Sequence, residues 1–290
     1  MKRIMLFLGV NLAVMVTISI VTSVFGLNKY ITANGLNYGT LMLFCLAWGM
    51  GGAFISLFLS KFIAKMSMGV QIIDPKNPGQ FAFVVNTVER LSKSAGIGMP
   101  EVGVYESEEI NAFATGATKN SSLVAVSTGL LNNMNEDEIE GVLAHEITHI
   151  SNGDMVTLTL VTGVVNAFAM FLSRVLSFFI SKAVDERFAG IVRIVLTVVF
   201  DILFTILGSI IISYFSRVRE YKADAGAASL SGREKMIAAL ENLQRKYEPI
   251  DNNAAYATMK ISNKQSGFMA LFATHPPLEK RIEALQKATF

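Results

Sequence analysis

The sequence predicts an α-helical membrane protein that carries a mainly helical α+β domain outside the bilayer. Three observations lead there. Hydrophobic residues make up 52% of the chain and charged residues only 17%, for a mean hydropathy of +0.46. Four stretches of roughly 20 apolar residues, the length that crosses a bilayer core, punctuate the chain. Between and after them lie charged segments with helical periodicity and two short β-branched runs.

Taken in order, Ile4–Phe25 follows Lys2 and Arg3 and carries no charge. It is too long for a signal-peptide core and no small-residue cleavage site follows, so it reads as an uncleaved anchor. Gly39–Leu59 is equally free of charge, and the loop between the two (27–38) holds only Lys29. Lys61 and Lys65 follow, so the positive-inside rule turns both ends of this hairpin, residues 1–65, toward the cytoplasm. The single cysteine, Cys45, has no partner in the chain, which excludes an internal disulfide and fits a reduced working compartment.

Residues 66–154 open with turn signals (Asp74-Pro75, Asn77-Pro78-Gly79) and continue as a helix over Phe81–Lys93, which Gly96–Pro100 breaks. Val102–Tyr105 and Leu123–Ser127 read as strands. Asn135 then caps a helix with Glu138 at its third position, and Ile139, Val142, Leu143, Ile147 and Ile150 give it one apolar face. A second hydrophobic hairpin over 155–215 comprises Met155–Ser173 and Ile194–Phe215, the latter interrupted only by Asp201, for which Asn166 or Arg193 is the expected partner. Arg174, Lys182, Arg187 and Arg193 gather at its outer end, against Arg217, Arg219 and Lys222 at the inner one. Charge counting therefore leaves two crossings and a shallow re-entrant pair both open. Residues 216–290 read as helical, with Ser231 and Glu234 as a capping-box signature and Glu248–Gly267 as a polar loop. Neither 66–154 nor 216–290 has an obvious core alone, so the two are expected to fold together as one α+β domain.

Chemistry concentrates on the histidines, of which there are three. Two frame His145-Glu146-Ile147-Thr148-His149, the third stands in His275-Pro276-Pro277. On a helix, His-Glu-x-x-His puts two imidazoles one turn apart on one face, able to share a Zn²⁺ with a carboxylate beside them. The same pattern also arises on ordinary helix surfaces, so context decides. Catalytic zinc takes three protein ligands and keeps one position open. With no further histidine nearby, the third ligand is expected to be an acid: Asp154, Asp201, Glu220, Asp224, or Asp185 and Glu186. Asp154, five residues past His149, requires a sharp bend of the chain; Asp201 lies within an apolar run. Glu220 and Asp224 stand one turn apart, so Glu220 can bind the metal while Asp224 holds a ligand histidine by its other ring nitrogen.

Asn111-Ala112-Phe113-Ala114, His145–His149, Glu220-x-x-x-Asp224 and His275-Pro276-Pro277, in this order and with this hydropathy, resemble the HtpX-type heat-shock metalloproteases of bacterial inner membranes, relatives of the CAAX prenyl endopeptidase. The resemblance implies a zincin-like α+β catalytic domain and one zinc per chain, held by His145, His149 and Glu220. Glu146 is then the general base, and His275 stabilises the oxyanion. Asn111–Ala114, with Asn111, Ala112 and Phe113 as the candidate substrate contacts, reads either as an edge strand that pairs with extended substrate or as a buried strand end. The resemblance also implies protein or peptide substrates, a plasma-membrane location with the catalytic domain cytoplasmic, and a role in quality control. The net charge of +2 gives no reason to expect a nucleic-acid partner. Two other classes stay open on sequence: a transporter that uses Asp201 with a structural zinc, and a non-catalytic membrane-tethered chaperone. The first is disfavoured because structural zinc sites fill all four positions with protein ligands, the second by the intact Glu146. Oligomeric state is not legible.

Overall fold

Leu123, Val124, Ala125 and Val126 are all completely buried, as expected of an apolar β-branched run covered on both faces. They belong to one central strand of the larger sheet. The structure, a computed structural model, describes residues 16–27, 29–32, 35–247 and 268–288; the polar stretch Glu248–Gly267 lies outside them. Two units result, one of Met1–Phe58 and Thr157–Ile212, the other of Leu59–Val156 and Ser213–Phe290.

The second unit holds a four-stranded sheet of β3 (Gln71–Ile72), β4 (Glu101–Tyr105), β5 (Ala112–Thr118) and β6 (Ser121–Ser127), in the order β3-β4-β6-β5. β4 and β6 run parallel, Val102 opposite Val124; β5 is antiparallel to β6 and forms an edge. Helices α2 (Ala82–Ser94), α3 (Thr128–Asn133) and α4 (Glu136–Asn152) come from the same stretch of chain. The rest comes from the C-terminal part of α6 (Glu186–Ser231), from α7 (Arg233–Tyr247) and from α8 (Leu278–Lys287). One core joins both stretches: Val88, Leu91, Leu143 and Ile147 pack with Ala227, Met236, Leu240 and Leu285. Neither stretch could bury these side chains alone, which is why two pieces distant in sequence make one domain.

The motif helix α4 begins as its sequence dictates. Asn135 Oδ1 accepts from Glu138 N at 2.9 Å and Asn135 N donates to Glu138 Oε2 at 2.9 Å, a complete capping box. It ends at Gly153, whose φ of 70° and ψ of 33° are left-handed. The expected box at Ser231 and Glu234 does not form. Ser231 closes α6 and its hydroxyl donates to Ala227 O at 2.9 Å, while Gly232, at φ 101°, turns the chain into α7.

The first unit contains helical residues 16–24, the hairpin β1 (Ile31–Thr32) and β2 (Gly35–Leu36), and parts of three long helices. α1 (Tyr38–Met68), α5 (Asp154–Ser181) and α6 are long and apolar enough to cross a membrane, with mean hydropathies of 2.0, 2.0 and 2.6. Leu41, Cys45 and Ala167 form its small buried core. Outside it, Val195, Val198, Val199, Ile202 and Ile206 stand exposed, the all-round apolarity of a helix whose solvent is lipid. Asp201 pairs with Arg174, Oδ1 to Nη1 3.3 Å, rather than with Asn166 or Arg193. Arg174 reaches it from the facing helix, with its guanidinium 5.5 Å from the Phe44 ring centroid.

Candidate active site

On α4, His145 and His149 face one way, one turn apart, with Nε2 atoms 3.1 Å from each other. α6 brings Glu220 against them: Oε2 is 3.5 Å from His145 Nε2 and Oε1 is 3.4 Å from His149 Nε2. One atom from each of the three lies within 4.8 Å of the others, a spacing that could hold a metal ion. α6 lies close enough to α4 that a Cβ on Gly226 would collide with the Thr148 side chain, so that position requires glycine.

Each imidazole is held from behind by a carboxylate. His145 Nδ1 lies 2.9 Å from Asp224 Oδ1, and His149 Nδ1 lies 2.6 Å from Asp154 Oδ2. A carboxylate partner makes Nδ1 the donor, which leaves both Nε2 lone pairs facing the same point. Two lone pairs 3.1 Å apart beside a buried carboxylate repel unless a cation lies between them. Burial disfavours charge on both imidazoles, yet the surrounding carboxylates outweigh it: the pKa of His145 is raised, and that of His149 reaches about 10. Glu220 Oε2 is buried without a well-formed hydrogen bond, which leaves it able to take a further partner. The donor set, two nitrogens and one oxygen, fits zinc.

Asp224 is itself gripped by Arg281 of α8, Nε to Oδ2 at 2.8 Å and Nη2 to Oδ1 at 2.6 Å, the forked geometry that suits guanidinium and carboxylate. Burial works against the charged carboxylate of Asp224, but Arg281 and His145 together pull its pKa below the usual range. Arg281 Nη1 also stands 3.5 Å from Glu220 Oε2. On the other side, Arg219 Nη1 donates to Asp154 O at 3.1 Å.

A cavity of about 220 Å³ opens onto these groups. Glu146, His145, Glu220, His275, Asn111 and Ala112 are among its lining, with Met134, Met236 and Leu243 as apolar walls. His275 sits at its exposed side, Nδ1 2.9 Å from Glu220 Oε2. A clasp fixes the segment before it: Arg217 Nη1 donates to Ala273 O at 2.6 Å and Leu271 O at 3.1 Å, and Ser213 Oγ to Phe272 O at 3.0 Å. Phe113 is not in the lining; its ring packs 5.6 Å from Tyr105 in a separate cluster.

The sequence pattern of Peptidase family M48 matches residues 78–289, which span every group just described. The chain belongs to peptidase family M48. It is 48% identical to the Protease HtpX homolog of Nitrosomonas europaea over 292 residues, covering 99% of this chain and all of that protein. It is 51% identical, at the same coverage, to the Protease HtpX homolog of Leptothrix cholodnii. The crystal structure of S. mikatae Ste24p shares the fold, with a TM-score of 0.65 at 21% identity over 98% of this chain and 66% of that one. As an M48 member with three helices fit to cross a bilayer among the described residues, the protein is a membrane metalloprotease.

Of the residues the sequence singles out, His145, His149, Glu220 and Asp224 come together here; the contacts of Asp154, Arg281 and Arg217 are not foreseen from the sequence. Arg281 had a signal: it falls on the same stripe as Leu278, Ile282 and Leu285, where a charge is out of place unless paired.

Proposed function

We propose that this M48 member is a zinc endopeptidase that cleaves membrane or misfolded proteins at the cytoplasmic face of a bacterial plasma membrane, in protein quality control. The observation that carries the chemistry is the convergence of His145, His149 and Glu220 on one point beside Glu146, at the floor of an open cavity. Zinc held there supplies a Lewis acid that makes water nucleophilic near neutral pH. Glu146, adjacent in the motif but outside the ligand set, takes the proton of the attacking water and delivers it to the leaving amine. His275, on the cavity's exposed side, donates toward the oxyanion once substrate separates it from Glu220. Asn111 and Ala112 border the cavity beside edge strand β5, where an extended substrate can add as a further strand.

The membrane arrangement follows from the same site. His145 and Glu220 lie on either side of the hydrophobic hairpin 155–215, yet meet within 3.5 Å. The chain between them therefore crosses the bilayer twice or not at all, and the lengths of α5 and α6 favour two crossings. In this reading residues 1–65 form an anchoring hairpin, while 66–154 and 216–290 make up the catalytic domain.

Purified wild type should degrade casein, with the activity lost to a chelator and restored by zinc. Cleavage that survives complete metal removal would defeat this reading. For topology, a cysteine at Ala183 in a Cys45→Ala background should react with an impermeant maleimide on intact cells; protection until the membrane is opened would favour a shallow hairpin.

A further inference from the structure

At the far end of the α5–α6 hairpin lies a second cavity of about 290 Å³, unrelated to the metal site. Tyr30, Leu36, Phe178, Ile194 and Thr197 help line it, and two guanidinium groups, Arg174 and Arg193, share it. The two arginines differ. Arg174 is neutralised by Asp201 at 3.3 Å. Arg193 is half-buried, and among the described residues it has no ion-pair or hydrogen-bond partner. An unpaired guanidinium beside apolar walls is costly, so its retention calls for an anion.

Depth and surroundings narrow the chemistry. Arg174 precedes the end of α5 at Ser181 by about two turns, and Arg193 follows the start of α6 at Glu186 by about two turns, roughly 10 Å from the hairpin tip. With Lys182 and Arg187 exposed at the tip, that places the cavity near the boundary between headgroups and acyl chains. Ile194 at 66% and Val198 at 54% exposure border the cavity, on an apolar helix face where acyl chains can lie.

We propose that this cavity binds the phosphodiester of an anionic membrane lipid, with Arg193 as the principal contact and Arg174 as the second donor. Guanidinium forks match phosphate oxygens bidentately, and one uncompensated positive charge matches one phosphodiester. Such a site also accounts for arginines at the hairpin end where the positive-inside rule predicts few. Basic pockets between membrane helices are a recurrent way of holding lipid headgroups.

The inference rests on the two-crossing reading, which cysteine labelling at Ala183 tests independently. The lipid test uses the full chain in phosphatidylcholine vesicles with a trace of spin-labelled phosphatidylglycerol or spin-labelled phosphatidylcholine. Wild type should immobilise the phosphatidylglycerol probe with about fivefold preference, the effect of one basic residue at a membrane surface. Arg193→Gln should bring that preference to parity, while Arg187→Gln, at the tip and outside the lining, should keep it. Arg193→Lys, which retains the charge, should fall between and serves as the measure if Arg193→Gln loses caseinolysis and hence its fold. Equal immobilisation of both probes by wild type, or an undiminished preference in the Arg193 variants, would overturn the site. Displacement of the probe by millimolar inorganic phosphate would overturn the lipid as its source and assign a soluble anion instead.

Discussion

The two ends of the metal-site helix are supported by different regions of the molecule. His149 depends on Asp154, five residues along the chain, placed there by one left-handed glycine. His145 depends on Asp224 of α6 and, through it, on Arg281 of α8, 136 residues away. The local support is set by a turn, to which α6 adds one hydrogen bond from Arg219 to the Asp154 carbonyl. The remote one buries a guanidinium and forms only when the C-terminal helix has docked, so it ties metal binding to completion of the fold. Glu220 is where they meet: it touches both histidines, His275 and Arg281.

The largest effects should come at that junction and at the base. Glu220→Ala should lose both zinc and proteolysis, because it removes a ligand from a three-ligand set. Glu146→Gln should lose about 10²- to 10⁴-fold in rate, the usual contribution of a general base, and keep its zinc. Elemental analysis beside a casein assay separates the two. Zinc retained by Glu220→Ala, or lost from Glu146→Gln, would reassign the ligand set.

The comparison itself is sharpened by substituting the two carboxylates. Asp154→Asn and Asp224→Asn should each weaken zinc affinity or activity by about 10- to 100-fold, the usual cost of losing the partner of a ligand histidine. Only Asp224→Asn also takes the forked carboxylate partner from a buried guanidinium, which keeps just Glu220 Oε2 at 3.5 Å, so it alone should lower stability, toward the lower end of about 3–5 kcal/mol. Arg281→Met added to Asp224→Asn should recover stability but not zinc affinity. Equal thermal destabilisation by Asp154→Asn and Asp224→Asn would break the distinction between local and remote support.

The same contrast explains what could be read from the sequence. Features set by neighbours along the chain were legible: the capping box at Asn135 and Glu138, the helical pairs His145/His149 and Glu220/Asp224, and the apolar spans 39–59, 155–173 and 194–215; most of the span expected at Ile4–Phe25 lies outside the described residues. On sequence, Asp154 stands too close to His149 to reach the site without a sharp bend. Asn152-Gly153-Asp154 supplies that bend, since glycine just past a helix end adopts the left-handed cap. The bend gives Asp154 a supporting place behind His149. Arg281 and Arg217 were not resolved because their partners are set by tertiary packing; an arginine on an apolar stripe shows that a partner exists without naming it. Ser231 misled for a related reason. The box it suggested needs a break before it, and α6 runs on to Ser231 itself.

A smaller effect is expected at the clasp before His275. Arg217→Gln should loosen the carbonyls of Leu271 and Ala273 and lower kcat severalfold, with zinc content unchanged. If Arg217 acts by positioning His275, the double variant Arg217→Gln/His275→Ala should be no slower than His275→Ala alone, because linked residues are not additive. Full additivity in kcat would give Arg217 a separate role.

The smallest effect isolates the local support. Gly153 has φ 70°, and a Cβ there would meet only Lys119 Cε at 3.9 Å, so Gly153→Ala meets no steric obstacle. What it adds is backbone strain, since the left-handed region costs a residue with a Cβ about 1–2 kcal/mol. For a chain of this size, 1 kcal/mol corresponds to about 2–4 °C in Tm. Asparagine tolerates the same conformation, so Gly153→Asn should recover part of the loss. Zinc affinity should follow the same order, glycine above asparagine above alanine, because the bend that places Asp154 behind His149 shifts with the strain. A fall in Tm with no change in zinc affinity would show that the turn serves only to end α4, and that Asp154 finds His149 without it.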